Sequence, residues 1–167
     1  SDSIDGPFAL SEYGFVRWAD EIVDTFHEHD KEALLHDFKV QTFTAIEQGI
    51  SLNPVLHSFQ QTVNQFGIDH QLIYAFFKSM ESDLQENAYD KQGYDEYIYG
   101  SAEVVGLMCL YVFCEGDKTL YKELESAARA LGAAFQKVNF LLRFQVQVLV
   151  PASACYYDPG PQKYNML

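Results

Sequence analysis

Basic residues are scarce in this sequence, which has 11 Lys and Arg against 24 Asp and Glu and a formal net charge of -13. Proteins that bind nucleic acid neutralise its phosphates with Lys and Arg, so this balance excludes a nucleic-acid partner. A polyanionic ligand that is held through a cation remains compatible with the charge.

Cysteine is scarce as well. Cys109, Cys114 and Cys155 form no Cys-x-x-Cys pair and leave an odd number, which indicates neither a disulfide framework nor a zinc site. This usage fits a reducing compartment best, and we expect a cytoplasmic location.

A long apolar run is also missing. The longest one, residues 104–113, has ten residues and is bounded by Glu103 and Glu115, and it is about half as long as is needed to cross a bilayer. The first 11 residues lack the basic start and apolar core of a signal peptide. We therefore expect a chain that is at most peripherally associated with a membrane.

Hydrophobic residues make up 48% of the 167 residues, enough for one sizeable core. Asp30, Asn53 and Asp69 each precede an apolar pattern of helical period, where an N-cap belongs. Gly49 and Gly67 stand where two of these patterns stop. Further helical patterns cover roughly residues 94–114 and 120–142, and no alternating strand pattern occurs before residue 143. The sequence predicts an all-α fold.

Residues 13–24, taken as a helix, separate into an apolar and a polar stripe. The apolar stripe, which we expect in the core, consists of Phe15, Trp18, Ala19, Ile22 and Phe26. The polar stripe consists of Tyr13, Arg17, Asp20 and Asp24. Two carboxylates one turn apart with an arginine behind them can hold a divalent cation and a phosphate. The alternative is a solvated face on which Arg17 and Asp20 pair.

This segment resembles the first aspartate-rich motif of the squalene/phytoene synthase family, Tyr-x-Phe-x-Arg-x-x-Asp-Asp-x-x-Asp. The resemblance implies metal binding by Asp20, Glu21 and Asp24. It also implies that Arg17 binds the substrate diphosphate and that Tyr13 lines the reaction pocket.

A second stretch, residues 97–108, has small residues at 100, 101, 102 and 106, which let another backbone or a flat apolar ligand approach closely. It resembles the family's helix Tyr-x-x-x-Val-Ala-Gly-x-Val-Gly, which lines the prenyl-chain cavity. Glu103 departs from this pattern, because the family usually has a small residue there. The resemblance implies substrate contacts from Tyr97, Ser101, Val104 and Gly106. Close helix packing alone is the alternative.

A third stretch, residues 131–143, resembles the family's second aspartate-rich helix, Leu-Gly-x-Ala-x-Gln-x-x-Asn-x-x-Arg-Asp-x-x-x-Asp. Gln136 and Asn139 match it, and the resemblance implies that they line the substrate pocket. The match then fails. Leu142 stands where Arg belongs, and Arg143 and Gln147 replace the two aspartates.

The resemblance covers roughly residues 13–142 and implies an isoprenoid-synthase-type helical bundle around a central cavity. We expect an incomplete bundle, with a partial helical domain at 1–142 and an irregular, divergent tail at 143–167. The tail is rich in proline and poor in charge, and we favour a shift of the reading frame over an evolved tail. Few residues precede the first motif, so the chain resembles the middle of a longer enzyme.

The resemblance also implies a function. Family members join two prenyl diphosphates, geranylgeranyl or farnesyl, head to head, and this sequence is most similar to bacterial phytoene synthase-like members. The implied cofactor is Mg²⁺, which Mn²⁺ can replace, with NADPH only if the product is squalene. The implied catalytic residues are Tyr13, Arg17, Asp20, Asp24 and Tyr97.

Three functional classes remain open at this point. Because positions 143 and 147 lack carboxylates, we expect weak or no turnover by a prenyltransferase homologue. The first alternative is a non-catalytic binding or assembly protein of the same fold. The second is an acidic helical interaction module in which the motifs are coincidence.

Overall fold

The computed structural model describes residues 5–85 and 97–149, and within them every regular element is helical. The all-α prediction is therefore confirmed for this part of the chain. The helices are α1 (Asp5–Asp24), α2 (Lys31–Gln48), α3 (Pro54–Phe66), α4 (His70–Leu84), α5 (Val104–Phe113) and α6 (Lys118–Leu149).

The predicted caps bound the helices as expected. The side chain of Asp30 accepts from the backbone of α2, that of Asn53 from the backbone of α3, and that of Asp69 from the backbone of α4. Gly49 and Gly67 end α2 and α3 with φ angles of 69° and 65°. That left-handed conformation costs glycine little, because it has no Cβ.

The helix predicted over residues 94–114 is not uniform. Residues 86–96 lie outside the described part, and helical structure is described again from Tyr97. The five residues Tyr99–Glu103 form a π-helical segment, after which α5 continues as a regular α-helix. Such single-turn π segments inside helices are frequent at functional sites.

Phenylalanines from four helices fill the centre of the core. The ring of Phe15 on α1 stacks on Phe59 of α3, with centroids 3.8 Å apart, and also contacts rings from α2 and α4. Aromatic pairs of this kind add about 0.5–1.5 kcal/mol to the stabilisation from burial itself. The buried rings are Phe15, Phe38, Phe59, Phe76 and Phe77.

The apolar stripe of α1 is mostly in the core, as expected. Phe15, Ala19 and Ile22 are buried, and Phe26 is partly buried against the core. Trp18 was expected with them but is 46% exposed. Its position in the helix is about 60° from that of the buried Phe15 at 100° per residue, which places it at the margin of the buried stripe.

Helix α6 is longer than predicted. Asp117 caps it by accepting from Thr119 N and Leu120 N, and the helix runs to Leu149 rather than ending near residue 142. Residues 143–149 were expected as part of an irregular tail, but they are helical. Extending an existing helix is favourable, since each added residue gains one backbone hydrogen bond. Residues 150–167 of the predicted tail lie outside the described part.

The chain divides into two compact units, Ser1–Gln136 and Lys137–Leu167. The first contains α1 to α5 and most of the turns of α6, and its α1 packs against α2, α3, α4 and α5. In the second, the described residues belong to the end of α6. The predicted division at residue 142 remains a prediction. Among the described helices, none is both long and apolar enough to cross a membrane.

Candidate active site

The polar stripe of α1 forms one face of the helix. Its four residues recur at intervals of four, three and four, so their side chains leave the helix on one side. Tyr13 is 67% exposed and the Arg17 side chain 61% exposed. Asp24 is exposed and Asp20 is half-buried. The expected diphosphate-binding and metal-binding residues therefore share one face.

Arg17 forms an ion pair with Glu21, one turn further along α1, with 3.4 Å between Nη2 and Oε2. The hydroxyl of Thr25 donates to the other oxygen of Glu21 at 2.7 Å. An exposed ion pair of this kind contributes only about 0–1 kcal/mol. A diphosphate, which carries more charge and accepts two guanidinium hydrogen bonds at once, can therefore compete for Arg17.

The carboxylates of α1 supply hard oxygen atoms, which Mg²⁺ prefers as ligands. Within residues 5–85 and 97–149, no three His, Cys, Asp or Glu side chains converge closely enough to hold a metal ion. Mg²⁺ is usually bound through one or two carboxylates together with substrate phosphates. Asp20 and Asp24 thus fit an ion that a diphosphate brings with it, rather than a metal site made of protein ligands alone.

The second set of predicted site residues lies in the π-helical segment and directly before and after it. Tyr97 is almost fully buried, and its carbonyl accepts from the hydroxyl of Ser101 at 2.7 Å. Val104 is completely buried in the core. A Cβ at Gly106 would lie 2.8 Å from the carbonyl oxygen of Ala128 on α6.

Small residues in this segment allow close helix packing, the alternative that the sequence left open. At Gly100, a Cβ would lie 2.6 Å from the carbonyl oxygen of Ala75 on α4. From the other side, a Cβ at Gly132 of α6 would lie 2.5 Å from the carbonyl oxygen of Ala102. The roles of Ser101, Val104 and Gly106 toward a substrate remain predictions.

Glu103, the departure from the family pattern, bonds to α6. Its Oε2 accepts from Arg129 Nε at 2.7 Å, and this bond raises the pKa of the Arg129 guanidinium. The same guanidinium lies 5.4 Å from the ring centroid of Tyr99, within cation–π range. The π-helical segment is thus joined to α6 by a cluster of Tyr99, Glu103 and Arg129.

Residues of the third stretch lie on α6. Gln136 is half-buried, and Asn139 follows it by three residues on the same helix, although its side chain lies outside the described part. Arg143 and Gln147, where the family has aspartates, follow on the last described turns.

Glu12 is a buried carboxyl group that the sequence interpretation missed. It is 1% exposed, and its oxygens have no nitrogen or oxygen hydrogen-bond partner among the described residues. The pKa of Glu12 is raised to about 7, because the effect of burial is larger than the opposite effect of the Cys109 thiol of α5. A signal was present in the sequence, because Glu12 precedes Phe15 and Ala19 by three and seven residues on the apolar stripe.

Comparison with models of protein families found a match. The family model described as squalene/phytoene synthase matches residues 9–149. This range contains the part of α1 that carries the polar face, the π-helical segment and α6. Comparison with curated proteins and with solved structures found no match.

Proposed function

The chain belongs to the squalene/phytoene synthase family, and we propose that the polar face of α1 binds a prenyl diphosphate with Mg²⁺. The family consists of prenyltransferases of the head-to-head type, which use prenyl diphosphates as substrates. For this chain we propose a geranylgeranyl or farnesyl diphosphate and a phytoene or squalene-type product. NADPH would be needed only for squalene. The observation that carries the proposal is the common face of Arg17, Asp20 and Asp24.

Two kinds of interaction would act on the substrate. Arg17 would bind the diphosphate through its guanidinium, exchanging its exposed bond to Glu21 for a bond to phosphate. Asp20 and Asp24 would hold Mg²⁺, which neutralises charge on the departing diphosphate when it is bound. Tyr13 at the exposed start of this face, and Tyr97 beside the π-helical segment, would line the pocket in which the allylic cation is kept from water.

Turnover is expected to be weak or absent. Charge that develops on a leaving diphosphate is stabilised from both sides when each aspartate-rich motif supplies carboxylates for metal. Here the second motif has Arg143 and Gln147 instead. Removing one preorganised part of such an electrostatic site costs about 3 kcal/mol or more, a factor of a hundred or more in rate.

Calorimetry with Mg²⁺ and a non-hydrolysable prenyl diphosphate analogue tests binding. We expect weak, Mg²⁺-dependent binding that Asp20→Asn abolishes, because the change removes a metal-binding charge. Asp37→Asn is the matched control, since Asp37 is an exposed carboxylate on α2 that loses the same charge. Equal binding by the wild type and Asp20→Asn would refute the assignment of this face.

Turnover of labelled geranylgeranyl and farnesyl diphosphate tests catalysis. Robust synthesis by the unmodified chain would show that carboxylates at positions 143 and 147 are dispensable. The double change Arg143→Asp and Gln147→Asp should raise turnover if only this half of the charge site is missing. If turnover does not rise while diphosphate binding is intact, the alternative of a non-catalytic binding or assembly protein is favoured. The lack of the second aspartate pair also supports this alternative.

A further inference from the structure

Glu12 lies where a carboxyl group is costly. It stands on the buried side of α1, and both of its oxygens are inaccessible and lack nitrogen or oxygen partners among the described residues. Its neighbour Ser11 does not supply a partner, because the Ser11 hydroxyl bonds to the Phe8 carbonyl and to the Thr62 hydroxyl at 2.6 Å. An ionised carboxylate without partners in such a place is strongly disfavoured relative to the neutral acid.

The thiol of Cys109 is the titratable group that the structure places against Glu12. Helices α3 and α5, which pack on α1, contain no Asp, Glu, Lys or Arg. On α2 and α4, Lys39 and Glu81 bond to each other, and Lys31 donates to the carbonyl of Val23. The oxygens of Glu12 have no hydrogen bond from any of these side chains, so no described cation bonds to its carboxyl group.

The Cys109 thiol is itself held neutral. Burial and the neighbouring carboxyl group both raise the pKa of Cys109 well above the ordinary value for a thiol. A neutral thiol is only a weak hydrogen-bond donor and acceptor. It can face a protonated Glu12 without penalty, but it cannot replace the hydration that an ionised Glu12 has lost.

This contact joins two helices that carry candidate site residues. Glu12 immediately precedes Tyr13 on α1, and Cys109 lies on α5, which continues from the π-helical segment Tyr99–Glu103. We propose that Glu12 is a proton-dependent positioning residue. With a proton on its carboxyl group, α1 docks against the Cys109 side of α5, and release of that proton to solvent loosens the contact. This device does not depend on the proposed catalytic function.

The sign of the pH dependence follows from linkage. The pKa of Glu12 is about 7 in the folded chain, above the ordinary value of 4.5, so the folded state binds the proton more tightly than the unfolded state. The stabilising effect is complete below pH 4.5 and is lost as the pH rises through 7. For one such group, the unfolding equilibrium constant rises on the order of thirtyfold between pH 5.5 and 8.5.

The test compares urea unfolding of the wild-type chain and Glu12→Gln at several pH values between 5.5 and 8.5. Trp18, the sole tryptophan, lies on α1 and reports this helix by fluorescence. We expect the ratio of the two unfolding constants, wild type over Glu12→Gln, to rise on the order of thirtyfold across this range. Glu47→Gln, which changes an exposed carboxyl group of α2, should leave the wild-type pH profile unchanged.

Changes at Cys109 distinguish a contact with this thiol from burial alone. Cys109→Ser supplies a stronger donor to the carboxylate and should move the midpoint of the pH dependence to lower pH. Cys109→Ala removes the donor and should move the midpoint to higher pH. Equal midpoints in the two variants would show that Cys109 does not contact the Glu12 carboxyl group.

Direct titration keeps the proposal testable if Glu12→Gln fails to fold. Carboxyl carbon NMR of the wild-type chain with labelled glutamate should show one resonance that titrates near neutral pH. Parallel pH profiles for the wild type and Glu12→Gln, or titration of every glutamate near the ordinary value, would overturn the proposal.

Discussion

Replacing Gly132 by Ala gives a severe test of the packing between α6 and the π-helical segment. The added Cβ would lie 2.5 Å from the carbonyl oxygen of Ala102, 3.0 Å from its carbon and 3.3 Å from the Cα of Glu103. All three are backbone atoms, so no side chain can rotate away. A relaxed contact is about 3.5 Å or more, and the two helices must therefore separate locally by about 1 Å.

The net effect combines two opposing terms. Alanine in place of glycine in a helix is favourable by up to about 1 kcal/mol. Overpacking of a well-packed contact usually costs about 1–3 kcal/mol and sometimes more. We expect the strain to exceed the helix preference, because only backbone is displaced, and the free energy of unfolding to fall by about 1–2 kcal/mol. The separation should also weaken the bond between Arg129 and Glu103, which spans the same two elements.

Urea unfolding followed by circular dichroism measures this change. Gly14→Ala is the matched control, because a Cβ at Gly14 of α1 would meet nothing within 4 Å. The control should gain about 0.5–1 kcal/mol from helix preference alone. If Gly132→Ala were stabilised as much as Gly14→Ala, the close approach of α6 to Ala102 would not exist in solution.

Two further changes test the core and a helix cap. Phe15→Ala removes a completely buried ring that stacks on Phe59. Urea titrations should show the free energy of unfolding falling by about 3–5 kcal/mol. A loss below about 1 kcal/mol would contradict the central position of Phe15 in the core. Asp30→Ala removes the acceptor for Ala33 N at the start of α2 and should cost about 1 kcal/mol, with faster amide hydrogen exchange in the first turn. Unchanged exchange there would show that water replaces the cap without cost.

The polar face of α1 could be predicted because it depends on local geometry. Helical spacing alone puts Arg17, Asp20 and Asp24 on one side, whatever the helix packs against. The bonding of that face could not be predicted in the same way. Spacing allows Arg17 to reach either Asp20 or Glu21, and the pair with Glu21 is one the sequence interpretation did not name.

Glu12 shows the opposite case. Its position on the apolar stripe was readable, but a glutamate near a helix start is ordinarily exposed, so its burial depends on what covers that turn. The packing of the assembled fold, with Cys109 of α5 beside Glu12, removes its carboxyl group from water. The effect on its pKa is a property of the assembled core and not of the helix.

The sequence by itself determined the all-α class, the beginnings of α2, α3 and α4 and the ends of α2 and α3, because caps and periodicity act over a few neighbouring residues. It also determined the family, since three motifs recur in order and the family match covers residues 9–149. Tertiary structure decided the π-helical segment Tyr99–Glu103, the exposure of Trp18 and the burial of Glu12. Each of these depends on atoms brought together from distant parts of the chain, and no local pattern encodes how closely those parts approach.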